Sequence, residues 1–164
     1  MINELKIEIS KVTAADLAIV EPLFYACDAY HYQQLAGEFK TPEKIASQRT
    51  PQSFTNLLSS GNYVMFIAKI NQQPCGVIAG KIIDQESFIH SSKKIGYIDE
   101  ISVLPSFQGR GIAQKLVDSI EDYFQTFDID EVMLSVYQFN SAAMGLYDKL
   151  GYSSKLTKMS KSIR

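Results

Sequence analysis

Two glycines, Gly109 and Gly111, lie where a strand-like run of residues is followed by an amphipathic helical pattern. The first turn of a helix has backbone N–H groups without intrahelical partners, and the helix dipole adds partial positive charge there. A phosphate at this point would meet several aligned donors, and glycine lets the backbone approach it closely. Residue types and spacing therefore predict an anion site over residues 108–113, although the same glycines would also suit a plain turn before the helix.

Two other glycine-rich nucleotide motifs fit this loop poorly. A P-loop requires Gly-Lys-Ser/Thr after four spacer residues, and the loop lacks that run. A dinucleotide-binding fingerprint would need a third small residue at position 114, where the chain has Gln114. That fingerprint also opens a repeated βαβ unit, whereas this loop follows four predicted strands. The loop therefore needs a second motif before its ligand can be assigned.

Residues 140–152 supply that second motif and read Asn-Ser-Ala-Ala-Met-Gly-Leu-Tyr-Asp-Lys-Leu-Gly-Tyr. This segment resembles the pattern Asn-x-x-Ala-x-x-Leu-Tyr-x-x-x-Gly-Phe/Tyr of the GCN5-related N-acetyltransferase (GNAT) family at every fixed position. Residues 108–113, read as Gln-x-x-Gly-x-Ala, resemble the family's acyl-CoA pyrophosphate loop, Arg/Gln-x-x-Gly-x-Gly/Ala. The motifs occur in the family's order, and the resemblance covers about residues 63–152. It implies an N-acetyltransferase that uses acetyl-CoA as co-substrate and transfers acetyl to a primary amine by direct attack. Nothing in the sequence indicates a metal.

The resemblance also implies which residues hold the cofactor. Main-chain groups of Ile101 and Val103 would pair with the pantetheine arm, and the Val103 N–H would stabilise the oxyanion. Backbone N–H groups of residues 108–113 would hold the pyrophosphate, with the Arg110 side chain adding positive charge. Gln108 stands where the family more often has Arg, which removes one charged anchor. The implied cofactor-binding set is Ile101, Val103, Gln108, Gly109, Arg110, Gly111, Ile112, Ala113, Asn140 and Tyr147.

Two side chains of the second motif have a structural and a functional interpretation. By residue type alone, Asn140 is a good helix N-cap and Tyr147 is a core residue with a hydrogen-bonded hydroxyl. The resemblance implies that Asn140 contacts the pantetheine arm. It also implies that Tyr147 is the general acid that protonates the departing CoA thiolate.

The strand before the loop carries the candidates for the general base. An alkyl ammonium has a pKa of ~10.4, so a base helps to generate the neutral amine near pH 7. Glu100 is the first candidate, because the family often has Glu in this context, and Asp99, Tyr97 or a water chain are the alternatives. Strand alternation places residues 97 and 99 on one face and residue 100 on the other, unless a bulge intervenes. A purely structural carboxylate is an equally good interpretation of Glu100.

The acceptor side of the site is less specified. His31, near the end of the first helical region, is a candidate substrate-binding residue, together with Tyr97 and Asp99. The first helices and residues 87–94 are expected to form the acceptor surface, and the acceptor amine is left open. Two alternatives to a small-molecule acetyltransferase remain. One is a non-catalytic acyl-CoA-binding sensor or regulatory module, and the other is an acetyltransferase that acts on a protein N-terminus or lysine.

The elements that must position these residues follow from hydrophobic periodicity, capping residues and turn signals. The predicted order is β-α-α-β-β-β-α-β-α-β in one domain spanning residues 1–164. We expect a single-domain α/β, GNAT-like fold with a mixed, mostly antiparallel central sheet flanked by helices. The predicted elements are strands from Leu5, at 63–70, 75–84, 95–104 and 131–137, helices at about 14–36, 51–60, 112–127 and 142–150, and an extended segment from Tyr152.

Composition restricts the partners. The chain has 164 residues, 46% apolar and 21% charged, with a net charge of −2, which is typical of a globular domain. A dedicated nucleic-acid binder would usually show a basic stripe, so nucleic acid is not expected as a partner. The N-terminus has no apolar core of signal-peptide length, and no apolar stretch is long enough to span a membrane. We therefore expect a cytoplasmic protein without a membrane partner. Cys27 and Cys75 lack metal-ligand spacing and are interpreted as reduced, mostly buried thiols. A homodimer is left open.

Overall fold

The computed structural model describes residues 6–164 and contains five strands and five helices in that part of the chain. Leu5, where the predicted first strand begins, lies outside the described residues. The strands are β1 Ile7–Lys11, β2 Tyr63–Ile70, β3 Gln73–Gln85, β4 Lys93–Val103 and β5 Val132–Leu134. The helices are α1 Leu17–Gln34, α2 Pro42–Ala46, α3 Pro51–Ser59, α4 Ile112–Gln125 and α5 Ser141–Lys149.

The strands form one mixed sheet in the order β1-β2-β3-β4-β5. Neighbours from β1 to β4 are antiparallel, and β5 is parallel to β4. The β2–β3 hairpin turns through Asn71 and Gln72, which have φ angles of 49° and 64°. A two-residue turn with both central φ angles positive matches the twist of the strands. The predicted fold class is confirmed, but β3 begins two residues earlier than expected, and β5, expected at 131–137, is limited to Val132–Leu134.

The sheet has a core on each face. On one face the apolar stripe of α4, with Leu116, Ile120 and Phe124 fully buried, packs against the sheet and extends to Tyr147 of α5. On the other face α1 and α3 cover β2 and β3, with Leu23 and Phe54 among the buried residues. Helices cover both faces of the sheet. The edge of β4 beyond the point where β5 ends is left as the opening into the sheet.

The element order differs from the prediction in two places. The short helix α2 was not predicted, although Thr41 caps it by accepting a hydrogen bond from the Lys44 N–H at 3.3 Å. The final strand expected from Tyr152 is not observed, and residues 152–164 form neither a strand nor a helix. Leu156, Met159 and Ile163 are about nine-tenths exposed in that segment, and their spacing does not alternate, so they offer no buried strand face.

Helix α1 begins after a 3-10 turn, Ala14–Asp16, and continues through Pro22. The Thr13 N–H donates to the Asp16 carboxylate at 2.8 Å, which fixes the start of the turn. Proline lacks an N–H and costs one helical hydrogen bond early in the helix. The rest of α1 is uninterrupted, so it brings the residues of its last turns over the end of β4.

Candidate active site

The sheet opens where β5 stops pairing with β4. Only Gly96, Tyr97 and Ile98 of β4 are paired with β5, whereas β4 continues to Val103. The Leu104 N–H donates to the Cys75 carbonyl of β3 at 2.9 Å. Because main-chain groups alternate in direction along an antiparallel ladder, the N–H groups of residues 101 and 103 point away from β3. They face the gap between β4 and β5.

A cavity of about 320 Å³ occupies this gap. It is lined by side chains from α1, the connection after α1, β4, the segment after β5, and α5. These residues are Cys27, Asp28, His31, Phe39, Ile98, Asp99, Glu100, Ile101, Leu134, Ser135, Val136, Tyr137, Asn140, Ala143 and Tyr147. Six of the predicted site residues therefore meet here: His31, Asp99, Glu100, Ile101, Asn140 and Tyr147. Tyr97, Val103 and residues 108–113 do not line the cavity, and neither do residues 87–94, which were expected to help form the acceptor surface.

The predicted anion loop lies beside the cavity at the start of α4. Gly109 and Gly111 have φ angles of 75° and 76°, a left-handed conformation that glycine adopts without strain. Gly111 is the N-cap of α4, and the first intrahelical bond runs from the Lys115 N–H to the Gly111 carbonyl at 3.2 Å. The N–H groups of residues 112–114 precede that bond and lack intrahelical partners. Added Cβ atoms at both glycines would meet nothing within 4 Å, so the loop faces open space.

Two side chains of this loop bind to the protein itself. Gln108 donates its side-chain N–H to the Val103 carbonyl at 3.0 Å. Arg110 donates to the Ser106 carbonyl at 3.1 Å, and its guanidinium lies over the Phe107 ring, 5.4 Å from the ring centroid. The Gln108 bond occupies one of the β4 carbonyls that the family resemblance assigned to the pantetheine arm.

A β-bulge in β4 sets which face Glu100 occupies. Ala79 of β3 pairs with Glu100, and the next residue, Gly80, pairs with Ile98, so Asp99 is the extra residue. The bulge cancels the alternation that would have separated residues 99 and 100. Both carboxylates therefore line the same cavity.

Asp99 and Tyr97 are held by other partners. Asp99 forms a 2.9 Å ion pair with Lys81. The Tyr97 hydroxyl shares a 2.7 Å hydrogen bond with Ser135 Oγ. Both partners come from outside β4, so each of these side chains is fixed before any substrate binds.

Glu100 is the carboxylate with the most altered acidity. Its side chain is 25% exposed, and the nearest cation is Arg49 Nη2 at 3.8 Å. Burial raises the pKa of Glu100 to about 7, with Asp28 and Asp99 adding to the increase and Arg49 opposing it. Arg49 is the largest opposing influence, but it does not overcome burial, and both of its terminal nitrogens also bind the Asp28 carboxylate, at 2.6 and 3.3 Å. Glu100 is therefore divided between its two protonation states near neutral pH.

Tyr147 is the buried phenol of the cavity. It is 7% exposed, and burial raises its pKa to about 12. Its ring contacts Tyr152 with centroids 5.4 Å apart, and its hydroxyl has no hydrogen-bond partner among the described residues. At neutral pH the phenol keeps its proton. Asn140, at the start of α5, accepts a hydrogen bond from the Ala143 N–H at 3.2 Å, as predicted for an N-cap.

Sequence reasoning missed several polar residues around Glu100. Cys27 and Asp28 line the cavity, and Arg49 lies behind it in the connection between α2 and α3. The His31 Nδ1 atom lies 2.9 Å from the Cys27 carbonyl oxygen and 3.6 Å from the Cys27 sulfur. Burial raises the pKa of the Cys27 thiol, so it remains protonated. The available signal was the helical spacing of residues 27, 28 and 31, which places them on one face of α1.

Both cysteines are free, as predicted, and Cys75 is fully buried. Within residues 6–164, no group of three or more His, Cys, Asp or Glu side chains is arranged to bind a metal ion. No helix in the same range has the length and apolar character needed to cross a membrane.

Sequence comparisons assign the family. The sequence model of the acetyltransferase (GNAT) family matches residues 29–152. Glucosamine 6-phosphate N-acetyltransferase of Arabidopsis thaliana is 25% identical over 130 residues, which are 78% of this chain and 85% of that protein. N-alpha-acetyltransferase 30 of Saccharomyces cerevisiae is 42% identical over 57 residues, 35% of this chain and 32% of that protein.

Solved structures share the fold. A mutant of the BH1408 protein from Bacillus halodurans has a TM-score of 0.86 at 19% identity, over 96% of this chain and 99% of that chain. The aminoglycoside acetyltransferase AAC(6')-Iy, in complex with a CoA-containing bisubstrate analogue, has a TM-score of 0.73 at 18% identity, over 97% of this chain and 99% of that chain.

Fold and motifs together define an acyltransferase. The chain belongs to the acetyltransferase (GNAT) family, as the resemblance of its two motifs indicated. It is an N-acetyltransferase, and acetyl-CoA is its co-substrate.

Proposed function

We propose that this protein transfers the acetyl group of acetyl-CoA to a primary amine by direct attack inside the cavity between β4 and β5. One observation carries the proposal. The cavity places Glu100, whose pKa is about 7, in the same space as Tyr147, a phenol that keeps its proton. A group that accepts a proton and a group that donates one are what amine activation and thiolate departure require.

The donor would bind along the open edge of β4 and the start of α4. The free N–H groups of residues 112–114, with the backbone of Gly109 and Gly111, would hold the pyrophosphate. The N–H groups of Ile101 and Val103 face the gap, where the pantetheine arm would extend past Asn140. This arrangement brings the thioester toward the hydroxyl of Tyr147.

Proton transfer begins the reaction. The acceptor arrives as an ammonium, and Glu100 in its carboxylate form takes one proton to leave a neutral amine. The amine nitrogen attacks the thioester carbon, forming a C–N bond and an oxyanion that the Val103 N–H stabilises. Glu100 is favoured over Asp99, which is paired with Lys81, and over Tyr97, which does not line the cavity.

Collapse of the tetrahedral intermediate completes the transfer. The C–S bond breaks and Tyr147 gives its proton to the departing CoA thiolate. The amide nitrogen then loses its second proton to the Tyr147 phenolate, directly or through water. The products are an acetamide, CoA with a free thiol, and the proton on Glu100, which returns to solvent.

A direct test combines binding and turnover. Calorimetry should detect saturable binding of acetyl-CoA, and incubation with a panel of amines should release free thiol together with a stoichiometric acetamide, measured by mass spectrometry. Saturable binding without acetamide formation from any amine or peptide would favour the non-catalytic sensor. Absence of acetyl-CoA binding by folded protein would overturn the donor site as well.

A peptide N-terminus is the second candidate acceptor. It is favoured by two relatives, N-alpha-acetyltransferase 30 of Saccharomyces cerevisiae and the ribosomal protein bS18 alanine N-acetyltransferase of Escherichia coli, the latter 24% identical over 125 residues. Peptides with free and blocked N-termini in the same amine panel would separate this acceptor from a small molecule.

A further inference from the structure

One wall of the cavity is aromatic. His31, Phe39 and Tyr137 line it, and Tyr30 and Phe139 pack behind them. The centroids of His31 and Phe39 are 5.4 Å apart, and those of Phe39 and Tyr137 are 5.3 Å apart. These residues come from α1, the connection after α1, and the segment between β5 and α5, so three separate parts of the chain converge to build one surface. We refer to these five residues as the aromatic wall.

The aromatic wall keeps ring surface available. Tyr137, which lines the cavity, is 43% exposed although it stacks on the neighbouring Phe139 ring. Aromatic pairs with centroids 4.5–7 Å apart are favourable beyond the area that they bury. Another ring entering the cavity would extend this cluster.

Carboxylates predominate in the lining of the cavity, and Lys81 and Arg49, each paired with one of them, lie outside the lining. Asp28, Asp99 and Glu100 line the cavity, and its lining, in the part of the chain that the structure describes, includes no Lys or Arg. Arg49 lies near two of these carboxylates, but Asp28 binds it through both carboxylate oxygens. An acceptor carrying a phosphate would therefore enter without a free counter-charge and face carboxylates, whereas a cationic acceptor is attracted.

We propose that the acceptor is a small arylalkylamine, a primary ammonium joined through a short alkyl chain to an aromatic ring. This inference rests on the proposed function, since the ammonium is the group that Glu100 deprotonates. The ring would pack on the aromatic wall while the ammonium faces the carboxylates. The cavity of about 320 Å³ is also lined by Ile101, Asn140 and Tyr147, so the acceptor shares it with the end of the donor, which favours a one-ring amine.

The test compares kcat/KM for matched amines at a fixed concentration of acetyl-CoA. The release of free thiol measures each rate. The probes are 2-phenylethylamine, its saturated analogue 2-cyclohexylethylamine, glucosamine 6-phosphate, kanamycin and a tripeptide with a free N-terminus. We expect 2-phenylethylamine to exceed its saturated analogue by about 2- to 10-fold, the contribution of an aromatic pair. We expect it to exceed glucosamine 6-phosphate by at least about 100-fold, because the phosphate has no counter-charge.

Two variants locate the effect. Phe39→Leu and Tyr137→Leu keep an apolar side chain and remove a ring, so each should raise KM for 2-phenylethylamine about 2- to 10-fold with little change in kcat. KM for 2-cyclohexylethylamine should change less. Phe127→Leu is the matched control, because Phe127 is exposed at the end of α4 and outside the cavity. Calorimetry with acetyl-CoA checks that each variant is folded and binds the donor.

The outcomes separate the two proposals. Preference for glucosamine 6-phosphate, kanamycin or the peptide would overturn the arylalkylamine and leave acetyl transfer standing. Acetyl-CoA binding with no turnover of 2-phenylethylamine would also overturn it. Failure of folded protein to bind acetyl-CoA would instead reject the proposed function on which it rests.

Discussion

The proposed donor and acceptor sides of the cavity are built in different ways. The donor side consists of main-chain N–H groups at the open edge of β4 and the start of α4, with Gly109 and Gly111 shaping the loop. The acceptor side consists of side chains from segments far apart in sequence, including Asp28, Phe39 and Tyr137. A backbone site needs particular residues at fixed spacing and so leaves a contiguous motif, whereas a side-chain site can be assembled from any elements that the fold brings together.

The two sides also differ in their electrostatics. The donor side offers the partial positive charge of a helix start. The acceptor side carries three carboxylates around a cavity, one of them with a pKa near 7. The polyanionic donor and the cationic acceptor are thereby attracted to opposite sides. The predictions below test whether the two sides can be altered independently.

The largest expected effect concerns the acceptor side. Glu100→Gln removes the proposed base and should lower kcat/KM by about 10²- to 10⁴-fold, with acetyl-CoA affinity unchanged. Steady-state kinetics and calorimetry measure the two quantities, and Glu86→Gln, an exposed position, is the control. Activity within about twofold of the wild type would remove Glu100 from the mechanism.

Tyr147→Phe tests the group at the junction of the two sides. It should lower kcat by about 10²-fold near pH 7, because the thiolate would leave without a proton donor. The deficit should shrink as pH rises above the thiol pKa of ~8.5, since CoA then stays as the thiolate after it departs and needs no proton donor. Tyr123→Phe on α4 is the matched control. A kcat of the variant equal to that of the wild type at every pH would contradict the acid role of Tyr147.

Glu100→Gln should also change stability in a pH-dependent way. The pKa of Glu100 is raised from 4.5 to about 7 in the folded protein. Between these pH values the Glu100 carboxyl is mostly ionised in the unfolded chain and mostly protonated in the folded protein. The free energy of unfolding of the wild type therefore falls as pH rises through this range. At pH 8 the variant should be more stable by on the order of 1–3 kcal/mol, and near pH 4 the difference should vanish. Denaturant unfolding at both pH values measures it, and equal differences at the two would show that Glu100 titrates normally.

Gly111→Ala tests the donor side alone. Gly111 has a φ of 76°, so an added Cβ costs about 1–2 kcal/mol for the left-handed conformation although the space around it is open. The free variant should relax away from the left-handed conformation, so binding must restore it and acetyl-CoA should bind about 5- to 30-fold more weakly, while KM for the amine is unchanged. Gly37→Ala, in a loop with open space and no positive φ, is the control. An amine KM that rises in parallel would mean that the two sides are coupled.

The smallest effect is expected from Asp28→Asn. The negative charge of Asp28 adds to the effect of burial in raising the pKa of Glu100. Removing that charge also releases Arg49 to pair with Glu100. The lower midpoint of the pH profile of kcat/KM should move to lower pH by about half a unit to one unit. Asp118→Asn, exposed on α4, is the control. A midpoint that moves upward would contradict the arrangement of Asp28, Arg49 and Glu100.

The parts of the molecule that the sequence predicted share a local cause. Periodicity, capping residues and glycine stops over short windows predict strands β1 to β4. The same signals predict the helices α1, α3, α4 and α5. Helix α2 was missed although Thr41 and Pro42 repeat the signature that identified the start of α3 at Thr50 and Pro51. Its five residues are too few to show a helical period.

The acceptor side depended on events that no local pattern reports. The bulge at Asp99 becomes visible only when β3 and β4 are paired, and it decides which face Glu100 occupies. Arg49 reaches Glu100 from the connection before α3, far from it in sequence. The raised pKa of Glu100 results from that packing, so it could not be inferred from residue types alone.

A crystal structure of the protein with CoA is the most direct test of whether the gap between β4 and β5 joins the two sides. It should show the pyrophosphate at the N–H groups of residues 112–114, the pantetheine arm along Ile101 and Val103, and the sulfur within hydrogen-bond distance of the Tyr147 hydroxyl. The sulfur should point toward the cavity that contains Glu100. A pyrophosphate bound elsewhere, or a sulfur on the far side of β4 from Tyr147, would contradict the central claim that acetyl transfer takes place in this cavity.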